Sequence, residues 1–235
     1  MGKNLIQQKR GKGSPTYRSP GFRFYGRAEH PTGNAETGIV KDIIHSAAHS
    51  GPLMFVEYND KQNLTLAPEG IRVGENVFLG VKDKITPGSV LELKDIPEGT
   101  SIFNIESKAG DGGRFVRSSG SLAKIVAKTG EMATVKLPSK KEKNFSLNCR
   151  ATIGQVAGSG RIEKPFLKAG TKFHRMKARN KYWPSVSGTS MNAVNHPFGG
   201  RSSHAKGRPT QAPRSAPPGR KVGKIAPKRT GRKNR

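Results

Sequence analysis

The 235-residue chain contains a single cysteine, Cys149. That excludes an intramolecular disulfide and any zinc centre built on several thiolates, and it agrees with a reducing compartment. Acidic residues are scarce as well: 16 Asp and Glu stand against 43 Lys and Arg, a net charge of +27. Such a balance points to nucleic acid or another polyanion rather than to a neutral metabolite. Aromatic residues make up 6% of the chain and hydrophobic residues 32%, which is lean for one large core and fits two small cores with irregular arms. No apolar run approaches the roughly 18 residues needed to cross a bilayer. The N-terminal MGKNLIQQKRGKGS offers only Leu5 and Ile6 where an export signal needs an apolar block, and Ile6 stands where myristoylation of Gly2 needs Ser or Thr. We expect a soluble, cytoplasmic protein without a membrane partner.

The signatures of common enzymes are missing too. There is no phosphate-binding Gly-x-x-x-x-Gly-Lys-Ser/Thr loop, no nucleophile elbow and no dinucleotide fingerprint after a strand. His45 and His49 have the spacing of a helical zinc pair, but Ser46 replaces the glutamate that such a site needs, and the flanking Ile43-Ile44 and Gly51-Pro52 read as strand and loop. We therefore expect no metal, no cofactor, no small-molecule substrate and no catalytic residue.

What is present is unevenly distributed. Residues 1–36 hold seven Lys and Arg and two Glu, interrupted by Gly11, Gly13, Pro15, Pro20, Gly21, Gly26, Pro31 and Gly33, so neither a helix nor a ladder can propagate far. Tyr17, Phe22, Phe24 and Tyr25 are interleaved with that charge, either to stack on unpaired bases or to pack on the adjacent domain. Residues 37–157 carry 16 basic and 13 acidic residues, an ordinary balance for a folded domain. Short β-favouring runs recur there: IVKDIIH (39–45), PLMFVEY (52–58), NLTLA (63–67) and NVFLG (76–80), then SVLELK (89–94), SIFNIE (101–106), AKIVAK (123–128), ATVKL (133–137) and ATIGQV (151–156). In AKIVAK the alternation sets Lys124, Val126 and Lys128 opposite Ala123, Ile125 and Ala127. Strands this short leave exposed edges unless they curl into small barrels, with a boundary near residues 80–88. The loop AGDGGRFVRSSGS (109–121) carries Arg114 and Arg117. It reads either as a set of amides converging on a phosphate or as a plain long hairpin loop.

From residue 158 onward there are 20 Lys and Arg and one acid, Glu163. TKFHRMKARNK (171–181) suits a short basic helix. Beyond Gly200, five prolines among dense positive charge predict a coil that stays solvated until a polyanion neutralises it. WPSVSGTSMNAVNHPFGG (183–200) has no helical or strand period, so its shape depends on what it touches.

GTSMNAVNHPFGG (188–200) resembles the signature of the universal large-subunit ribosomal protein L2 family, and APPGRKVGKIAPKRTGR (216–232) is similar to that family's basic C-terminus. GKGSPTYR (11–18) and LAPEGIRVGE (66–75) resemble its archaeal and eukaryotic branch, and the likeness covers nearly the whole chain. The resemblance implies a mostly β protein: an OB-like RNA-binding barrel over residues 37–86 and an SH3-like barrel over 87–157. Basic irregular extensions, 1–36 and 158–235, would flank them. It implies a structural, non-enzymatic constituent of the large ribosomal subunit, bound to its ribosomal RNA. Assembly, subunit association, tRNA binding and organisation of the peptidyl-transferase region would be its tasks, with other ribosomal proteins, the small subunit and tRNA nearby.

Candidate RNA-contacting residues are Arg10, Lys12, Tyr17 and Arg18 near the N-terminus and Arg114 and Arg117 in the Gly-rich loop. Arg175, Lys177, Arg179 and Lys181 follow on the basic helix. Trp183, Gly188, Met191, Asn192, Asn195, His196, Phe198, Gly199, Gly200 and Arg201 come from the signature segment, and Arg220, Lys221, Lys228, Arg229 and Arg232 from the tail. His196 would be a general base only if a carboxylate oriented it. Its predecessor is Asn195, where family members commonly carry an acid, and Ser185 and Ser187 stand where they often carry Arg. One rival reading is a non-specific nucleic-acid-compacting protein; another is a hydrolase using His196.

Overall fold

The computed structural model describes residues 5–19, 21, 24–33, 36–200 and 209–228. It divides into two compact units, one of Gly21–Leu167 and one made of Met1–Pro20 together with Lys168–Arg235.

The described residues of Gly21–Leu167 form ten strands: β1 (Glu36–Ile44), β2 (Leu53–Tyr58), β3 (Lys61–Leu66), β4 (Asn76–Leu79), β5 (Val90–Glu92), β6 (Ser101–Phe103), β7 (Ala123–Thr129), β8 (Met132–Lys136), β9 (Glu142–Ser146) and β10 (Arg150–Ile153). They pair in the order β3-β2-β1-β4-β5-β10-β6-β7-β8-β9. All contacts in this ladder are antiparallel except the single parallel one, Leu79 with Val90. Among the described residues no pairing joins the end strands β3 and β9. The strand-rich character is the one expected, and each of the nine β-favouring runs overlaps a strand.

The core forms two main clusters that meet on β5. Val90 packs with Val40, Met54, Val56, Val77 and Leu79, whereas its neighbour Leu91 packs with Ile102, Ile125, Val135, Phe145 and Ile153. Successive strand residues face opposite ways, so one three-residue strand serves both. Each fully buried aliphatic side chain contributes about 1.5–3 kcal/mol through burial. On β7 the predicted alternation holds from Ala123 to Val126. A bulge between Ile125 and Ala127 then shifts the register, leaving Ala127 and Lys128 half-buried. Lys128 Nζ instead donates to the Lys94 carbonyl at 2.6 Å.

The Gly-rich loop is organised from within. The Gly110 and Gly112 amides donate to the Glu106 carboxylate at 3.1 and 3.2 Å, and those of Ser107, Lys108 and Gly113 donate to Asp111. The amides that a phosphate would need are thus already taken by the chain's own carboxylates. Glu106 is fully buried and also accepts from the Arg150 backbone at 2.9 Å and its guanidinium at 3.0 Å. Burial alone would raise the Glu106 pKa. The Arg150 and Gly110 hydrogen bonds, with the Arg150 charge, outweigh it and hold the carboxyl below its ordinary value.

The same hub anchors the segment before β1. Arg150 Nη1 donates to Pro31 O at 2.8 Å, Arg117 Nη2 to Ala28 O at 2.6 Å, and the His30 amide to Gly112 O at 3.1 Å. His30 Nε2 donates to Asn104 O at 2.6 Å, which leaves Nδ1 buried as an unprotonated acceptor. Burial pushes the His30 pKa down to about 4, from 6.5, against the favourable Asn104 hydrogen bond and nearby Glu106; Arg150 and Arg117 push the same way as burial.

A lowered histidine pKa favours the fold while the ring is neutral. This contribution is therefore intact above pH 6.5 and is lost as pH falls from 6.5 towards 4, by about 3 kcal/mol in all. His30→Asn should flatten the pH dependence of the urea midpoint across that window. In the wild type, the His30 ring signals in NMR should show no titration above pH 5; a midpoint near 6.5 would contradict this.

Candidate nucleic-acid interface

The second unit contains no acidic residue. Its two segments carry 23 Lys and Arg, and all 16 acids of the chain lie in Gly21–Leu167. It also has almost no core: among its described residues only Gly199 and Ala212 are buried. Helix α1 (Ile6–Gly11) exposes Arg10, with Lys12 as its exposed C-cap, and ends where the sequence turns glycine-rich. A 3₁₀ turn, Pro15–Tyr17, follows and presents Tyr17 beside the exposed Arg18.

Helix α2 (Ala169–Ala178) carries Arg175 and Lys177, with Arg179 at its C-cap. The predicted basic helix is present but starts two residues earlier and ends three earlier. The Lys181 amide closes it by donating to Met176 O at 2.9 Å. Asn180 then reaches back: its Nδ2 donates to Pro15 O at 2.7 Å and Arg18 O at 2.5 Å, tying the N-terminal turn to the end of α2.

The signature segment folds on backbone turns rather than on ladders. A 3₁₀ turn, Gly188–Ser190, leads into a turn in which the Asn195 and His196 amides donate to Asn192 O at 2.9 and 3.2 Å. His196 Nδ1 accepts from the Phe198 amide at 3.0 Å, and the two rings lie 5.1 Å apart. The Nδ1 lone pair is therefore engaged, and the unit has no Asp or Glu side chain to orient the ring. A Cβ on Gly188 would fall 2.6 Å from His196 Nε2, and one on Gly199 2.6 Å from Met191 O. Larger residues at either position would force the turn apart. Gly200 caps the segment through its amide on Met191 O at 2.9 Å. Met191, Asn192, Asn195, His196 and Phe198 are thus brought together within one folded loop, with Asn192 and Asn195 exposed.

Beyond it, the expectation of an unpaired coil needs correcting for residues 209–228. Strands β11 (Gln211–Ala212) and β12 (Lys224–Ile225) pair in parallel, the Lys224 amide donates to Thr210 O at 3.0 Å, and Ala212 is buried. Arg220 and Lys221 sit on the connecting turn, where both amides donate to Pro217 O. Prolines that block a helix still permit turns, and one small side chain suffices to close this loop. Lys228 is exposed. Phe22, Arg201, Arg229 and Arg232 lie outside the described residues.

The remaining candidates belong to Gly21–Leu167. Arg114 is exposed, whereas Arg117 is half-buried and gives its terminal nitrogens to Gly113 O and Ala28 O. Of the aromatics near the N-terminus, Tyr25 is exposed. His45 is exposed, and His49 shares a 3.0 Å hydrogen bond with Ser46 Oγ. Sequence reasoning passed over Phe173, Met176 and Tyr182, which gather around Trp183 and Tyr17. Their signal was two aromatics and a methionine spaced along a basic segment.

A family model described as Ribosomal Proteins L2, C-terminal domain, matches residues 86–217. Curated relatives match nearly end to end. The protein of Haloquadratum walsbyi named large ribosomal subunit protein uL2 is 49% identical over 99% of this chain and 97% of its own length. Its namesake in Haloarcula marismortui is 49% identical over 99% and 98%, and that of Methanocella arvoryzae 50% identical over 98% and 99%.

Proposed function

The chain belongs to the L2 family of large-subunit ribosomal proteins, in its archaeal form, and from that premise we propose that it binds large-subunit ribosomal RNA as a structural, non-catalytic part of the subunit. One observation carries the reading: a unit with 23 cations, no Asp or Glu and, among its described residues, only two that are buried. Like charges at that density repel, and so small a core cannot offset the repulsion; phosphates remove it and release counterions as they do so. Two small barrels, OB-like over residues 37–86 and SH3-like over 87–157, dock on folded RNA, while the extensions 1–36 and 158–235 thread between RNA helices. Recognition is mainly of phosphate and shape, through Arg10, Lys12, Arg18, Arg175, Lys177 and Lys181 and the backbone at Gly188, Gly199 and Gly200. In the assembled subunit the protein supports assembly, subunit association, tRNA binding and the order of the peptidyl-transferase region.

At physiological salt, structured large-subunit RNA should displace the protein from duplex DNA with more than roughly tenfold preference. Equal competition would favour a general nucleic-acid-compacting role. In cell extract the protein should sediment with the large subunit and remain there through a high-salt wash.

A further inference from the structure

Beside α2 lies a cavity of about 250 Å³, below the roughly 300–1,000 Å³ typical of drug-sized ligand sites. It is lined by four aromatic residues, Tyr17, Phe173, Tyr182 and Trp183, by Met176, by the polar Thr16 and Asn180, and by Lys177 and Lys181. Phe173 and Tyr182 are 44% and 51% exposed, which puts apolar rings in water on a unit that has no acid to recruit a cationic partner. Lys172 Nζ stands 5.5 Å from the Trp183 ring centroid. The cavity is also held in shape. Both Asn180 side-chain hydrogen bonds go to Pro15 O and Arg18 O, so the turn bearing Tyr17 is fastened to the end of the helix bearing Phe173 and Met176.

We propose that this slot takes one unpaired nucleobase of an RNA strand, stacked among the rings, with the flanking phosphates on Lys172, Lys177 and Lys181. The inference rests on the RNA-binding reading above and assigns to it a base-receiving subsite built jointly by the two ends of the chain. Four aromatic residues in the lining suit a π-face, and the nearby lysines suit the phosphates on either side of an extruded base. The Asn180 amide nitrogen is occupied by Pro15 O and Arg18 O, so base-edge reading falls to the Asn180 carbonyl and the hydroxyls of Thr16, Tyr17 and Tyr182.

Trp183 is the chain's only tryptophan, so its fluorescence reports on the slot alone. The full-length protein is titrated at fixed, moderately high salt with a decameric oligoadenylate, with an abasic ribose-phosphate decamer, and with inorganic polyphosphate. Oligoadenylate should quench Trp183 strongly and bind roughly 5- to 100-fold more tightly than the abasic strand, the range expected for one stacked base. The abasic strand and polyphosphate should bind with little quenching. In Phe173→Ala and Tyr17→Ala the preference for the base-bearing strand should fall towards one. Equal quenching by all three polyanions, or a preference that survives both substitutions, would overturn the slot. If large-subunit RNA still bound tightly in that case, the proposed function would stand without it; failure to bind any RNA would overturn both.

Discussion

A chain shortened by removal of residues 168–235 should bind large-subunit ribosomal RNA roughly a thousandfold more weakly at physiological salt, with a much shallower dependence of affinity on salt. The deletion removes 18 of the 43 Lys and Arg and no acid. Each cation that meets a phosphate contributes roughly 0.7–0.9 to the logarithmic salt slope, so losing even half of them would reduce the slope by several units. The fold of the remainder should survive. Gly21–Leu167 carries nearly all of the buried apolar side chains, and none of its strands or core clusters draws on the deleted segment. Filter binding from 50 to 300 mM salt, beside a thermal melt of the same protein, checks both halves. An unchanged slope would mean that the deleted cations face water or other proteins in the complex, and the central role given to this region would fall.

Glu106→Gln should lower the unfolding free energy by about 3 kcal/mol or more, among the largest losses of any single substitution in the Gly21–Leu167 unit. The carboxylate has no exposed surface and serves Gly110, Gly112 and both the backbone and the guanidinium of Arg150. Glutamine keeps the shape but removes the charge that balances Arg150, and an amide nitrogen would then oppose one of these donors. Breaking a buried pair from one side costs about 3–5 kcal/mol, because the surviving charge is left unbalanced. The acid limb of the stability curve should change as well. A depressed carboxyl pKa stabilises the fold above the ordinary carboxylate range and loses that effect as pH falls through the folded-state value. The variant should therefore lack part of the wild-type decline below about pH 4. Denaturant titrations at pH 7 and pH 3 test both statements, and a loss below about 1 kcal/mol would show that the hub is dispensable.

These two sites differ in how far the sequence disclosed them. The cationic ends were legible because net charge is additive along a chain and needs no geometry. The strands of the first cluster were legible because turn residues separate short apolar runs, as at NLTLA and NVFLG. Strand β9 was not. Four of its five residues are exposed and only Phe145 reaches the core, so KEKNFS reads as a charged loop. Glu106 was also hidden, lying at the end of an apparent strand while its partner Arg150 comes 44 residues later. The Gly-rich loop showed the right geometry for collecting amides, but the sequence could not say whose oxygens would collect them. The slot around Trp183 escaped for the same reason. Tyr17 and Phe173 are neighbours only because Asn180 bonds to Pro15 across 165 positions.

That long-range tie has a temporal consequence. Met1–Pro20 is synthesised before Gly21–Leu167, whereas the other half of its unit, Lys168–Arg235, is synthesised after it. Translation therefore completes Gly21–Leu167 while the leading twenty residues still await their counterpart. The tie between Asn180 and the Pro15–Arg18 turn can therefore form only once synthesis has passed residue 180, after the whole of Gly21–Leu167 has been made.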